Sequence, residues 1–168
     1  LAVDLGSTTT MAADADFARP DTIEALSVDA AVENARATAQ WLETHLRSNG
    51  SVGAVAFGWG AAVVARVAAD DTPLDALVSY YGDTLPPDAI SGIVDVPMLF
   101  HFAGNGEMRE ADRDAFERML AEEGQDFAIE VWDGADTGFD DPSAAAHDAE
   151  TARDALERTI AFLKGRLD

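Results

Sequence analysis

Apolar residues along this chain fall into short, mostly apolar runs separated by longer amphipathic stretches. Leu1–Leu5, Val52–Phe57, Leu74–Tyr80, Met98–Phe102 and Phe127–Trp132 are such runs, and their length and composition predict strands, with Val52–Phe57, Leu74–Tyr80 and Met98–Phe102 buried. Between them the spacing changes to that of helices. Asp29–Leu46 places Ala31, Ala35, Ala39, Leu42 and Leu46 on one face, with Asn49-Gly50 as its stop signal. Gly60 to about Ala69 is a helix of small residues suited to close packing on a sheet. Arg109–Glu123 turns Ala111, Ala115, Met119 and Leu120 inward, and a last helix runs from about His147 to Leu167. Gly6–Asp29 is a polar, proline-containing connection. Alternating strands and helices predict an α/β fold of three layers, α/β/α, with a mostly parallel sheet of about five strands. One domain over residues 1–168 is expected, with Val52–Phe57 as its fully buried central strand.

Residues 48–62 carry the most specific signal. An apolar strand ends at Phe57, Gly58-Trp59-Gly60 forms a turn, and a helix follows. This is the layout of a nucleophile elbow, where a sharp turn lifts one side chain above the sheet. Further motifs follow in order: Leu77-Val78-Ser79-Tyr80-Tyr81-Gly82, Met98-Leu99-Phe100-His101-Phe102-Ala103-Gly104, Val131-Trp132-Asp133-Gly134-Ala135-Asp136-Thr137-Gly138-Phe139, and a closing helix with Glu157-Arg158-Thr159-Ile160-Ala161-Phe162-Leu163. With the elbow, these resemble the dienelactone hydrolase family. The resemblance implies a shortened α/β-hydrolase fold and a carboxylic-ester hydrolase ancestry. It also implies that the family's N-terminal strands are absent from this chain, so that Leu1–Leu5 slides over to pair with Val52–Phe57.

The same resemblance places the family's Cys, Asp and His on Gly58, Gly106 and Thr137. A glycine has nothing to attack with, a second glycine cannot orient an imidazole, and a threonine is no general base at neutral pH. A one-residue slip puts Asn105 or Glu107 at the acid position without restoring a base or a nucleophile. The arginines that hold the family's anionic substrate would fall near Thr8 and near Asp140 or Asp141, where the groups are neutral or negative. The expectation is a catalytically impaired or inactive relative that keeps the scaffold for a ligand or a partner. The alternative is an active ester or lactone hydrolase with a relocated or engineered site. In the elbow, Gly58 is expected at the strained turn and Gly60 where helix and strand approach closely.

Charge narrows the setting. Acidic residues number 32 against 11 basic, a net charge of −21, and ten of the 11 basic residues are arginine. The acid is spread along the whole chain, as in a protein adapted to a salty cytoplasm, where counterions screen its self-repulsion. No basic patch is available for phosphates, so nucleic acid is excluded as a partner. No run of about 18 apolar residues exists to span a membrane. Without cysteine there are no disulfides, thiolate metal sites or thiol nucleophiles.

Other chemistry is thinly supported. Asp4-Leu5-Gly6-Ser7-Thr8-Thr9-Thr10 resembles a phosphate-binding turn of the actin and sugar-kinase superfamily, but the second strand that fold needs is missing after it. Asp136-Thr137-Gly138 spells an aspartic-protease triplet, which works only in pairs. Asp133, Asp136, Asp140 and Asp141 share one loop and are the only candidates for holding a hard cation; a solvated acidic turn explains them as well. Three histidines exist. His45 ends a helix, His101 sits in a buried strand, and His147 opens the last helix as the one candidate for a displaced base. Ser79 and Ser143 lie outside any elbow. Trp59, His101 and Phe139 are candidates for lining a small-molecule pocket. No cofactor is expected. The apolar strand freed of its family neighbour favours a homodimer, or another chain completing the sheet.

Overall fold

The structure is a computed structural model that describes residues 27–168 apart from 71, 83, 84 and 86. The expected Leu1–Leu5 strand, its pairing with Val52–Phe57 and the Asp4–Thr10 turn lie outside the described residues. In chain order the elements are α1 (Val28–Thr44), β1 (Gly53–Phe57), α2 (Gly60–Ala69), β2 (Ala76–Tyr80), α3 (Pro87–Gly92), β3 (Met98–Ala103), α4 (Glu110–Glu122), β4 (Phe127–Trp132) and α5 (Ala149–Leu167). The described strands form one wholly parallel sheet in the order β1-β2-β3-β4. The sequence pattern therefore places every described strand correctly to within two residues.

Successive residues of a strand face opposite sides of the sheet, and both sides are covered here. Leu77, Met98, Phe100 and Phe102 point into a core shared with Val63 and Val67 of α2, Ile90 of α3, and Phe116 and Leu120 of α4. Ala31, Val32 and Ala39 of α1 close that layer. Val78, Tyr80, Leu99 and Ala103 point the other way, into a smaller core with Ala135, Phe139 and Ala155 of α5. This is the expected three-layer α/β/α arrangement. Among the described residues one helix packs on its second face, and Gly53 shows how closely. A Cβ there would come within 2.8 Å of Leu167 Cδ1 and 3.1 Å of Leu163 Cδ2, so a larger residue would have to push those side-chain ends aside.

Several local expectations are corrected. Leu46 lies beyond α1 and is fully exposed, because the helix stops at Thr44 and His45 is already extended. On α4 the inward residues are Phe116 and Leu120, with Met119 half-buried; Ala111 and Ala115 face water. An alanine is too small to decide which side of a helix turns in when a phenylalanine one position along can bury far more area. The last helix begins at Ala149, capped by the Asp148 carboxylate on the N–H groups of Glu150 and Thr151, so His147 precedes it. β1 is not buried on both faces: Val55 is 39% and Phe57 47% exposed, and no strand among the described residues pairs with its outer edge. The short α3, started by Pro87, was too brief to announce itself by periodicity.

Candidate functional site

In a parallel α/β sheet the loops at the carboxyl ends of the strands form the natural ligand crevice. Here the β1–α2 loop is Gly58 and Trp59. Gly58 N–H donates to the Tyr80 carbonyl at 3.0 Å, and its own carbonyl accepts from Ala61 at 3.1 Å. Between the two the chain reverses through a left-handed residue, with φ +50° at Gly58. A Cβ built on Gly58 would meet nothing within 4 Å among the described residues. The turn thus has the elbow's shape, with open space where a nucleophile would stand. The glycine that close packing demands is Gly82, not Gly60. A Cβ on Gly82 would fall 2.6 Å from Ala61 Cβ, 2.9 Å from Ser79 Oγ and 3.2 Å from the Gly58 carbonyl, whereas one on Gly60 would meet only Ala56 at 3.9 Å.

Beside this turn lies a cleft of about 460 Å³, a volume in the range of small-molecule sites. The end of β2 contributes Tyr81 and Gly82, and the end of β3 contributes Phe102 and Ala103 followed by Asn105, Gly106, Glu107 and Met108. The β4 loop contributes Asp136 and Thr137. Gly106 and Thr137 are neighbours across it, since a Cβ on Gly106 would lie 3.3 Å from Thr137 Oγ1. Two loops are locked together at that point. Asn105 N–H donates to the Ala135 carbonyl and Asn105 Nδ2 to the Gly134 carbonyl, both at 2.9 Å. Asn105 is thereby committed to holding the backbone, while Glu107 is exposed at the cleft wall.

Tyr81 is the cleft's strained member. Its φ is +38°, a region costly for a residue with a Cβ. Its hydroxyl donates to Asp140 Oδ1 at 2.7 Å. Burial, and then this bond to a carboxylate, push the phenol's pKa upward, so Tyr81 stays a neutral donor.

The three pocket candidates lie elsewhere. Trp59 packs half-buried against the larger core. Phe139 is completely buried in the smaller one, in edge contact with the Tyr81 ring. His101 is also completely buried, inside a polar chain that the sequence did not reveal. Trp132 Nε1–H donates to His101 Nδ1 at 3.1 Å. The proton of the neutral ring is then on Nε2, which faces Thr159 Oγ1 of α5 at 3.0 Å. Thr159 Oγ1 is in turn 2.8 Å from the Tyr80 hydroxyl. Burial, followed by the charge of Arg158, lowers the His101 pKa to about 4. His101 is a core histidine with both nitrogens engaged.

His147 is not among the cleft residues. Its Nδ1 is 3.1 Å from the Phe139 carbonyl. Ser79 is buried under Gly82, and Ser143 Oγ donates to Asp141 in an exposed turn. The four loop aspartates are divided among different tasks. Asp136 borders the cleft, Asp140 accepts from Tyr81, Asp141 accepts from the Ser143 hydroxyl and N–H, and Asp133 is exposed. The Ser143 bonds, the hydroxyl's first, hold the Asp141 carboxyl below the usual carboxylate range. Among the described residues no three His, Asp or Glu side chains are placed to share a metal ion. Sequence reasoning missed Tyr81 as a strained cleft residue; its Tyr-Tyr-Gly context was the available signal.

The family model of the dienelactone hydrolase family matches residues 9–167. The chain belongs to the dienelactone hydrolase family. No curated protein matches it significantly in sequence. Its fold is that of a protein from Klebsiella pneumoniae provisionally assigned as a dienelactone hydrolase, at 18% identity and TM-score 0.76, covering 84% of this chain and 63% of the other. A dienelactone-hydrolase-like promiscuous phosphotriesterase from metagenomic libraries is similar at 19% identity and TM-score 0.71, covering 84% and 62%. The dienelactone hydrolase of Anabaena variabilis is similar at 16% identity and TM-score 0.66, again covering 84% and 62%. The chain therefore spans a little under two thirds of the length of these structures. Among the described residues no helix is long and apolar enough to cross a membrane.

The open turn has a direct test. The chain contains no cysteine, so Gly58→Cys would carry its single thiol. With no atom of the described residues within 4 Å of the new Cβ, the thiol should react with an aromatic disulfide reagent in the native state as readily as in urea. Protection in the native state would mean that the turn is closed. The left-handed backbone should cost such a variant ~1–2 kcal/mol of stability.

Proposed function

We propose that this chain is a dienelactone hydrolase scaffold without the family's hydrolytic chemistry, and that the cleft at its strand ends binds a ligand without cleaving it. The observation that carries this reading is the open turn at Gly58, beside a cleft where Gly106 and Thr137 stand together at the family's acid and base positions. A cleft needs no triad to bind, but hydrolysis needs a nucleophile, a base and an orienting group. Removing a hydrolytic triad as a unit costs about 10⁶ in rate. A salt-adapted cytoplasm as the setting belongs to the same proposal and rests on the net charge of −21. The homodimer also remains a proposal, supported by half-exposed Val55 and Phe57 beside the outer edge of β1; light scattering in molar KCl reads it directly.

The test of the central reading is turnover of p-nitrophenyl acetate and of a dienelactone in molar KCl. The expected result is a rate that Ser79→Ala and His147→Ala leave unchanged. Efficient turnover abolished by either substitution would establish the competing reading, an active hydrolase with a relocated site.

A further inference from the structure

We infer that the cleft takes a small organic cation with an apolar body, an ammonium compound, and rejects the carboxylate-bearing ligands to which an anion-binding site would be suited. The inference rests on the reading of the cleft as a ligand site and adds the ligand's charge and shape. Part of the cavity's lining is apolar: Phe102 and Ala103 are buried at the end of β3, Met108 is half-buried, and the Tyr81 ring is anchored by its hydroxyl's bond to Asp140. An aromatic ring and a thioether are favourable surroundings for a cationic head and its carbon substituents. The charged groups on the wall are two carboxylates, Glu107 and Asp136. Among the described residues no lysine, arginine or histidine lines the cavity.

The nearby cations are committed elsewhere. Arg109 is paired with Asp112 through Nε and Nη2 at 2.7 and 2.8 Å. Arg113 donates to the Met108 carbonyl at 2.8 Å, which holds its guanidinium on the backbone. An anion entering the cleft would therefore meet two negative groups and, among the described residues, no compensating charge. A cation would gain both carboxylates and the apolar part of the lining. Gly106 borders the cavity without a side chain, and a Cβ there would crowd Ala103 and Thr137 of its lining.

The test must separate a site from the general attraction of an acidic protein for any cation. Calorimetric titration of the full chain in 1 M KCl with benzyltrimethylammonium, phenylacetate and benzyl alcohol does so. The expected result is saturable 1:1 binding of the ammonium compound, weaker binding of the alcohol, and none of phenylacetate. Glu107→Gln and Asp136→Asn should each weaken the ammonium compound about two- to fivefold, the worth of a solvent-exposed charge contact. Asp114→Asn, which removes an exposed charge on α4 away from the cleft, should leave the affinity unchanged. Equal binding of phenylacetate, no binding of the ammonium compound, or an equal loss with Asp114→Asn would each overturn the inference. A choline ester assayed in parallel keeps the two readings apart. Its hydrolysis in the cleft would sink the non-hydrolytic reading while leaving the cation site standing. Absence of both binding and turnover would remove the cation site alone.

Discussion

Acidification from pH 7 to pH 4 should cost the wild-type fold about 3 kcal/mol relative to a His101→Gln variant. The ring of His101 is fully buried between β3 and α5, with Nδ1 accepting from Trp132 and Nε2 facing Thr159. A second proton would turn Nδ1 into a donor aimed at the Trp132 donor. The charged groups beside the cluster are Arg158 of α5 and Glu130 of β4, paired at 3.8 Å, with the Tyr80 phenol next to Thr159. Burial and Arg158 hold the imidazole pKa near 4, against about 6.5 when the chain is unfolded. The folded state therefore favours the neutral ring. Between about pH 6.5 and 4 the unfolded chain takes up a proton that the folded chain refuses, and stability falls through that window before levelling below it. Carboxylate protonation relieves the protein's self-repulsion over overlapping pH values and works in the opposite direction, which is why the variant is needed as a reference. Urea melts of both proteins at pH 7 and pH 4 measure the change. A stability gap that stays constant across the two pH values would show that the ring is not held neutral by its surroundings.

The second large effect is steric. Gly104→Ala should destabilise the protein by ~2–3 kcal/mol or prevent folding, with overpacking as the cause. A Cβ on Gly104 would sit 2.7 Å from the Trp132 carbonyl oxygen, 2.9 Å from Asp133 Cα and 3.2 Å from Gly134 N. All three are backbone atoms of the neighbouring strand end, so no side chain can swing aside. Gly104 N–H also donates to that same Trp132 carbonyl at 2.8 Å, and the two strand ends cannot part without losing the bond. Gly165→Ala is the control, because a Cβ there would meet nothing and α5 would gain a better helix former. Chemical denaturation of the two variants checks the contrast. Equal stabilities would mean that the β3 and β4 ends are far looser than described.

β2 and β3 were legible because a parallel strand buried on both faces reads as a mostly apolar run, while β4, half-exposed and carrying Glu130, still showed a short stretch of apolar residues. The elbow was legible because the alternation of strand, small turn residue and helix is local. What the sequence hid was pairwise or distant. His101 reads as an ordinary strand residue until Thr159, which lies 58 positions away, arrives beneath it. The inward side of α4 was misread because alanines carry little information about burial, while Phe116 settled the matter. Trp59 and Phe139 looked like pocket residues by their position next to motif residues. In space both turn into the cores, and the cleft is lined instead by the residues around Gly106 and Thr137.

Among the described residues α5 is the one helix packed on the second face of the sheet, and this has a consequence for how the protein is made. Chains leave the ribosome N-terminus first at about 5–20 residues per second. By the time β4 has emerged, the layer of α1 to α4 can already pack on its side of the sheet. The other side must wait for residues 149–167. Until then Val78 and Leu99 lie open, and the hydroxyl of Tyr80 and the ring of His101 have no Thr159 to bond. Nascent chains of this protein thus pass through an interval with one finished face and one sticky one. A heavy load of negative charge, which keeps unfinished chains apart, is a fitting companion for such an order of assembly.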